Sequence, residues 1–169
     1  WALSHLPPPN EADIAARTKR EPMDAQARRT FFLTYLPGLA SLTSLYVLLT
    51  AYRDFRDNFA VEIWTEAGTA DVLKLLTTSE TQVTVGVLFV LALLMVIHNN
   101  RLALLVVHAL MLTGTALIGV STALFQSGTI TPESWMVSTG LGLYIAYVPF
   151  GCILFDRLIA ATGAVGTAG

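Results

Sequence analysis

The sequence predicts an all-α fold, a polytopic bundle of membrane-spanning helices, and three observations carry that prediction. Of its 169 residues, 54% are hydrophobic and only 13% charged, with a mean hydropathy of +0.61, whereas a soluble domain carries about 25% charged residues. Four long runs contain scarcely a charge, which argues against both strands and the core helices of a soluble domain. Helix-starting residues stand before the second run and the fourth, at SETQ and TPE. A hydrocarbon core of about 30 Å needs roughly 20 helical residues, and the runs match that length.

Residues 1–30 read as a polar connection. LPPP at 6–9 is stiff and extended, and the charged stretch EADIAARTKREPMDAQARR follows it. Pro22 suits the first turn of a helix, where its missing N–H costs nothing. That helix carries Arg28 and Arg29 to the membrane edge and runs on into Phe31. The bundle itself is expected over 31–169, with spanning helices at about 31–52, 81–97, 102–125 and 132–155.

The first of these has Pro37-Gly38 near its start, a kink signal. For the second, Ser79 is expected as N-cap, with Gln82 reaching back in a capping box. The third follows after only His98-Asn99-Asn100-Arg101. The fourth opens with Thr131 as N-cap, Pro132 in the first turn and Glu133 at the positive end of the helix dipole. Pro149 marks a second kink within it. Asp156-Arg157 then breaks the run, and LIAATGAVGTAG is either a loop or a truncated fifth helix. A start at Trp1 and an end in small residues lead us to expect a piece of a larger protein. The charged, Pro-rich N-terminal stretch is not a signal peptide.

Orientation follows from Lys and Arg in the connections. Arg17, Lys19, Arg20, Arg28, Arg29, Arg101 and Arg157 lie on one side, against Arg53, Arg56 and Lys74 on the other. Seven against three places the N-terminal segment in the cytoplasm and the 53–80 connection outside.

Composition also excludes. A net charge of −2 with no basic stripe gives no basis for a nucleic-acid partner. A single cysteine, Cys152, rules out an intrachain disulfide or a cysteine zinc site, and its apolar surroundings predict a small buried residue. His5, His98 and His108 are scattered, so no metal site is expected. TGLGLY at 139–144 follows no strand and is no dinucleotide fingerprint. No catalytic constellation and no cofactor motif is present, and an enzyme is not expected. Small residues at Ser138-x-x-x-Gly142 and Thr115-x-x-x-Gly119 are expected to let helices approach closely.

The candidate binding residues come from helical faces. Thr34, Pro37, Gly38, Ser41 and Tyr52 share one side of the first helix, and Arg56 joins them if the helix continues past Tyr52. His108, Thr115, Gly119 and Thr122 share a side of the third, and Gly140, Tyr144, Tyr147 and Gly151 one of the fourth. Polar groups in a bilayer face the bundle or a water-filled cavity, so Tyr52, Arg56, His108, Tyr144 and Tyr147 are the candidates for solute binding. Arg53, Asp57, Pro149, Asp156 and Arg157 are candidates for structural or gating roles.

The stretch YRDFRDNF admits two readings. In one it is an external helix end, pinned by an Arg53–Asp57 pair at i,i+4. In the other, Tyr52 and Arg56 wall a vestibule, and the planar guanidinium meets an anionic group. Segment lengths place Tyr52 at the outer boundary with Arg56 about one turn above it, and leave no carboxylate within the apolar runs.

Three stretches, LPPP…REPMDAQARR, YRDFRDNF and GLGLYIAYVPFGCILFDRLIA, resemble a family of bacterial membrane proteins, the domain-of-unknown-function family 5690. That family is similar, distantly, to the major facilitator superfamily of secondary transporters. The resemblance implies a central cytoplasmic connection followed by helices seven to ten of twelve, in a bacterial inner membrane. The turn His98-Asn99-Asn100-Arg101 departs from the Asp-Arg-x-Gly-Arg-Arg type common in major facilitators.

The resulting expectation is a fragment of a carrier that moves an unknown small solute by alternating access. Its partners would be the lipid bilayer and the missing half of the same protein. The alternative is a non-transporting membrane sensor or assembly subunit with the same fold.

Overall fold

A computed structural model describes residues 24–69 and 71–162. The LPPP segment, Pro22 and the final GAVGTAG lie outside the described residues. The helices are α1 (Ala25–Asn58), α2 (Ala60–Glu66), α3 (Val72–Met95), α4 (Asn100–Gln126), α5 (Pro132–Pro149) and α6 (Phe155–Thr162), with a π-helical turn at Phe150–Leu154. The described residues contain no strand. Four stretches are long and apolar enough to cross a membrane: Arg28–Asn58, Val72–Met95, Asn100–Gln126 and Pro132–Leu158. The chain is an all-α membrane-type bundle.

α1 extends beyond the expected spanning stretch of about 31–52 at both ends, running through Arg28 and Arg29 into Phe31 as expected and continuing past Tyr52. Its 34 residues reach about 51 Å at 1.5 Å per residue, beyond the roughly 30 Å of a hydrocarbon core. It runs unbroken through Pro37, where Ser41 Oγ donates to the Pro37 carbonyl at 2.8 Å. Phe59 interrupts the helix, and α2 follows with Trp64 fully buried. Gly68 closes α2 at φ 78°, the left-handed conformation that glycine adopts without strain at a helix end.

α3 begins at Val72, well before the expected start. Ser79 is therefore not a cap. It is buried inside the helix, and its Oγ donates to the Leu76 carbonyl at 3.1 Å. The reason is local: Val72–Thr78 contains neither proline nor glycine, so nothing stops the helix from extending back to Asp71.

The starts of α4 and α5 have side-chain caps. Asn99 Oδ1 accepts from Arg101 N at 3.0 Å and Leu102 N at 3.1 Å at the head of α4. Thr131 Oγ1 accepts from Ser134 N at 3.2 Å at the head of α5, with Pro132 in the first turn as expected. Thr131→Ala is expected to cost about 1 kcal/mol, read as a lower unfolding midpoint in SDS titration, whereas Thr131→Asn retains most of the stability.

α5 is the central element. It runs antiparallel to α1 and α4 and parallel to α3, and its buried residues span Met136 to Pro149. α4 approaches it most closely where Gly114 faces Gly142: a Cβ on Gly142 would stand 2.6 Å from the Gly114 carbonyl oxygen. Gly142 thus serves the close approach expected of it, but Gly119 faces open space and Gly114 takes its place. Leu94, Val107, Met111, Phe150 and Leu154 form one core cluster, and Leu49, Leu143 and Ala146 another.

Pro149 ends α5 without a backbone N–H to continue the ladder, and the π-helical turn follows it directly. Cys152 on that turn is exposed rather than buried. The wider turn directs its small side chain off the bundle, while Phe150 and Leu154 enter the core.

Candidate functional site

α1, α3 and α5 converge on one charged group. Arg56 projects from α1 between the other two helices and is only 2% exposed. Its Nη2 donates to Glu80 Oε1 at 2.7 Å and to the Met136 carbonyl at 3.3 Å. Its Nη1 lies 3.5 Å from Asp57 Oδ1, while Nε is buried without a hydrogen-bond partner. Gly140 makes the room, because a Cβ there would stand 2.6 Å from Arg56 Nη2 and 2.9 Å from Val83 Cγ2.

This burial has an energetic meaning. Removing a guanidinium from water costs several kcal/mol, offset only when the partner geometry is good. Glu80 and the Met136 carbonyl supply that geometry from two neighbouring helices. Glu80 stands eight residues inside the start of α3 (80 − 72), about 12 Å along the axis. It was expected at the end of an external connection. The structure therefore places Glu80 on α3 itself, where it meets Arg56 of α1.

Asp57 completes the cluster. Tyr144 Oη on α5 lies 3.1 Å and 3.0 Å from its two carboxylate oxygens. Asp57 is thus held by Tyr144 and Arg56, and the expected Arg53–Asp57 pair does not form. Arg53 turns instead to its neighbour Asp54, with Nε at 3.1 Å and Nη2 at 2.7 Å from Oδ1.

A second, more open face lies beside the first. Arg53 Nη1 donates to Tyr147 Oη at 2.7 Å, and the guanidinium carbon sits 4.9 Å from the Tyr147 ring centre. Tyr46 stacks on Tyr147 at 5.6 Å and on Phe150 at 5.1 Å. Arg53 and Tyr147 are half-buried, and Tyr46 is exposed. The face combines a cation, two hydroxyls and flat aromatic surface, which suits it to hold a small polar solute through charge, hydrogen bonds and stacking.

Of the five candidate binding residues, the structure brings Arg56, Tyr144 and Tyr147 together along the α1–α5 seam. Tyr52 packs beside Leu49, Leu143 and Ala146 and also lines a cavity next to Arg56. His108 lies elsewhere: half-buried on α4, its Nδ1 is 2.8 Å from the Leu104 carbonyl of its own helix. Arg157 donates from Nη1 to Asn100 Oδ1 at 2.7 Å, tying α6 to the head of α4, and Asp156 is exposed in the first turn of α6.

Sequence reasoning missed Glu80, Tyr46 and the space-making role of Gly140. A signal for Glu80 was present. Helix-compatible LKLLTTSET leads without a break into the apolar run, so the acid belonged to the helix and not to the connection.

The chain belongs to the Family of unknown function (DUF5690), whose family model matches residues 1–169. No curated protein and no solved structure matches it.

Proposed function

We propose that this member of DUF5690 is a secondary carrier of a small solute, working by alternating access. One observation supports the reading above the rest: a buried Arg56 joined to Glu80 and Asp57, and through Asp57 to Tyr144, across three helices of membrane-spanning character. Ionisable groups inside such helices are costly and mark solute or ion pathways. A bundle that needed only to stay folded gains little from them, since apolar side chains of similar volume do as well.

In this reading α1 and α5 border the pathway. They present Tyr46, Arg53 and Tyr147 on one face, and the outward apolar side of α1 is largely exposed. That side would pack on lipid and on the other half of a twelve-helix, major-facilitator-like bundle. Rocking of the two halves would expose the tyrosine face to each side of a bacterial inner membrane in turn. The Lys/Arg asymmetry supports a cytoplasmic position for residues 1–30 in this reading. The paired carboxylates supply the intramembrane acid that coupled carriers use.

The test needs no knowledge of the solute. In the full-length protein with Cys152→Ser, a Tyr147→Cys variant is expected to react with a membrane-impermeant maleimide in both right-side-out and inverted vesicles. Labelling from one side alone favours the non-transporting reading, a sensor or assembly subunit with a fixed conformation.

A further inference from the structure

The corner where α1, α2, α4 and α5 meet forms an open-sided cavity of about 470 Å³, within the size range of small-molecule sites. The tyrosine face above takes no part in it beyond the shared neighbour Arg56. Its walls are aromatic. Phe55 and Phe59 lie 5.3 Å apart with their rings tilted, and Phe125 stacks on Trp135 at 4.5 Å. Trp135 is fixed by donating from Nε1 to Thr122 Oγ1 at 3.1 Å.

Charge distinguishes this cavity from an ordinary apolar cleft. Glu62 and Glu66 line it from successive turns of α2. Both are exposed, and neither takes part in an ion pair among the described residues. Carboxylates at i and i+4 repel one another, and among the described residues no lysine or arginine pairs with them. The single basic lining residue is Arg56, whose charge is already met by Glu80 at 2.7 Å and Asp57 at 3.5 Å. One guanidinium thus stands against four carboxylates, two of them free.

We propose that this cavity binds a small organic cation with an apolar body. The positive charge faces Glu62 and Glu66, and the apolar body lies against Phe55, Phe59, Phe125 and Trp135. Aromatic faces add to the selection, because their quadrupoles attract cations and not anions. An anion of the same shape meets two unpaired carboxylates and is rejected. This site and the proposed transport activity stand or fall separately, since binding is read at equilibrium without a gradient.

The probe is tetraphenylphosphonium, with tetraphenylborate as an anion of the same shape, each measured by equilibrium dialysis against the full-length protein in lipid nanodiscs and against empty nanodiscs. The expected result is saturable binding of the cation alone, weakened about tenfold in the Glu62→Gln/Glu66→Gln double variant. Both positions are exposed, so the double variant keeps its helical circular-dichroism spectrum. A Trp135→Phe variant, which keeps an aromatic wall, retains most of the affinity. Saturable binding of both ions, no saturable binding of the cation, or unchanged affinity in the double variant would each overturn the proposal.

Discussion

Replacing Glu80 by alanine is expected to destabilise the bundle by about 2–4 kcal/mol, the cost of leaving a buried guanidinium without its main partner. The lower part of that range reflects two mitigating features. The Glu80 side chain is 38% exposed, and Asp57 remains 3.5 Å from the other guanidinium nitrogen. Asp57 cannot take over fully, because it is also bound by Tyr144. Arg56→Met/Glu80→Leu should recover stability to within about 1 kcal/mol of the parent, since apolar replacements of similar volume remove both charges together. SDS titration of the full-length protein in mixed micelles provides the readout. A Glu80→Ala variant as stable as the parent would mean that water reaches Arg56 freely.

Gly142→Val is the second large effect. Its Cβ alone would stand 2.6 Å from a backbone oxygen of α4 and 3.1 Å from Ile118 Cγ1. A backbone atom cannot rotate away as a side chain can, so α4 and α5 must separate. The expected loss is about 3 kcal/mol or more, at the upper end for overpacking. Gly119→Ala, on the same helix as Gly114 but with nothing within 4 Å, should stabilise by about 0.5–1 kcal/mol through helix propensity. Equal losses at the two sites would show that helix flexibility, and not the close α4–α5 approach, decides the outcome.

The contrast between these two glycines shows how far the sequence could be read. A small-x-x-x-small pattern marks helices that can approach, and it marked Gly142 correctly. Which small residue of α4 receives α5 depends on the rotation of one helix against the other, which no single-helix pattern encodes. The four apolar segments were legible because each is long and apolar enough to span a bilayer by itself. Thr131-Pro132-Glu133 was legible because cap chemistry is local. Ser79 was misread for the same reason: a local cap pattern outweighed a continuous helix-compatible run, and Glu80 was lost to the connection along with it.

The candidate site was legible as a set of faces and not as a set of pairs. Tyr144, Tyr147 and Arg56 fell on small or polar sides that do meet along the α1–α5 seam. The pairing inside YRDFRDNF went otherwise than i,i+4 spacing suggests. Spacing within a helix cannot weigh a tyrosine from another helix, and Tyr144 and Tyr147 draw Asp57 and Arg53 apart. His108 could not be assigned from its face, because its bond to the Leu104 carbonyl satisfies it within α4.

The central claim is that Arg56 and Glu80 form a direct pair within the helical bundle, and a double-mutant cycle tests it most directly. Unfolding free energies of the parent, Arg56→Met, Glu80→Leu and the double variant, measured in the full-length protein, give the coupling. The account predicts about 2 kcal/mol or more, as for residues sharing one buried network. A coupling within about 0.3–0.5 kcal/mol of zero, the additivity of independent sites, would contradict it.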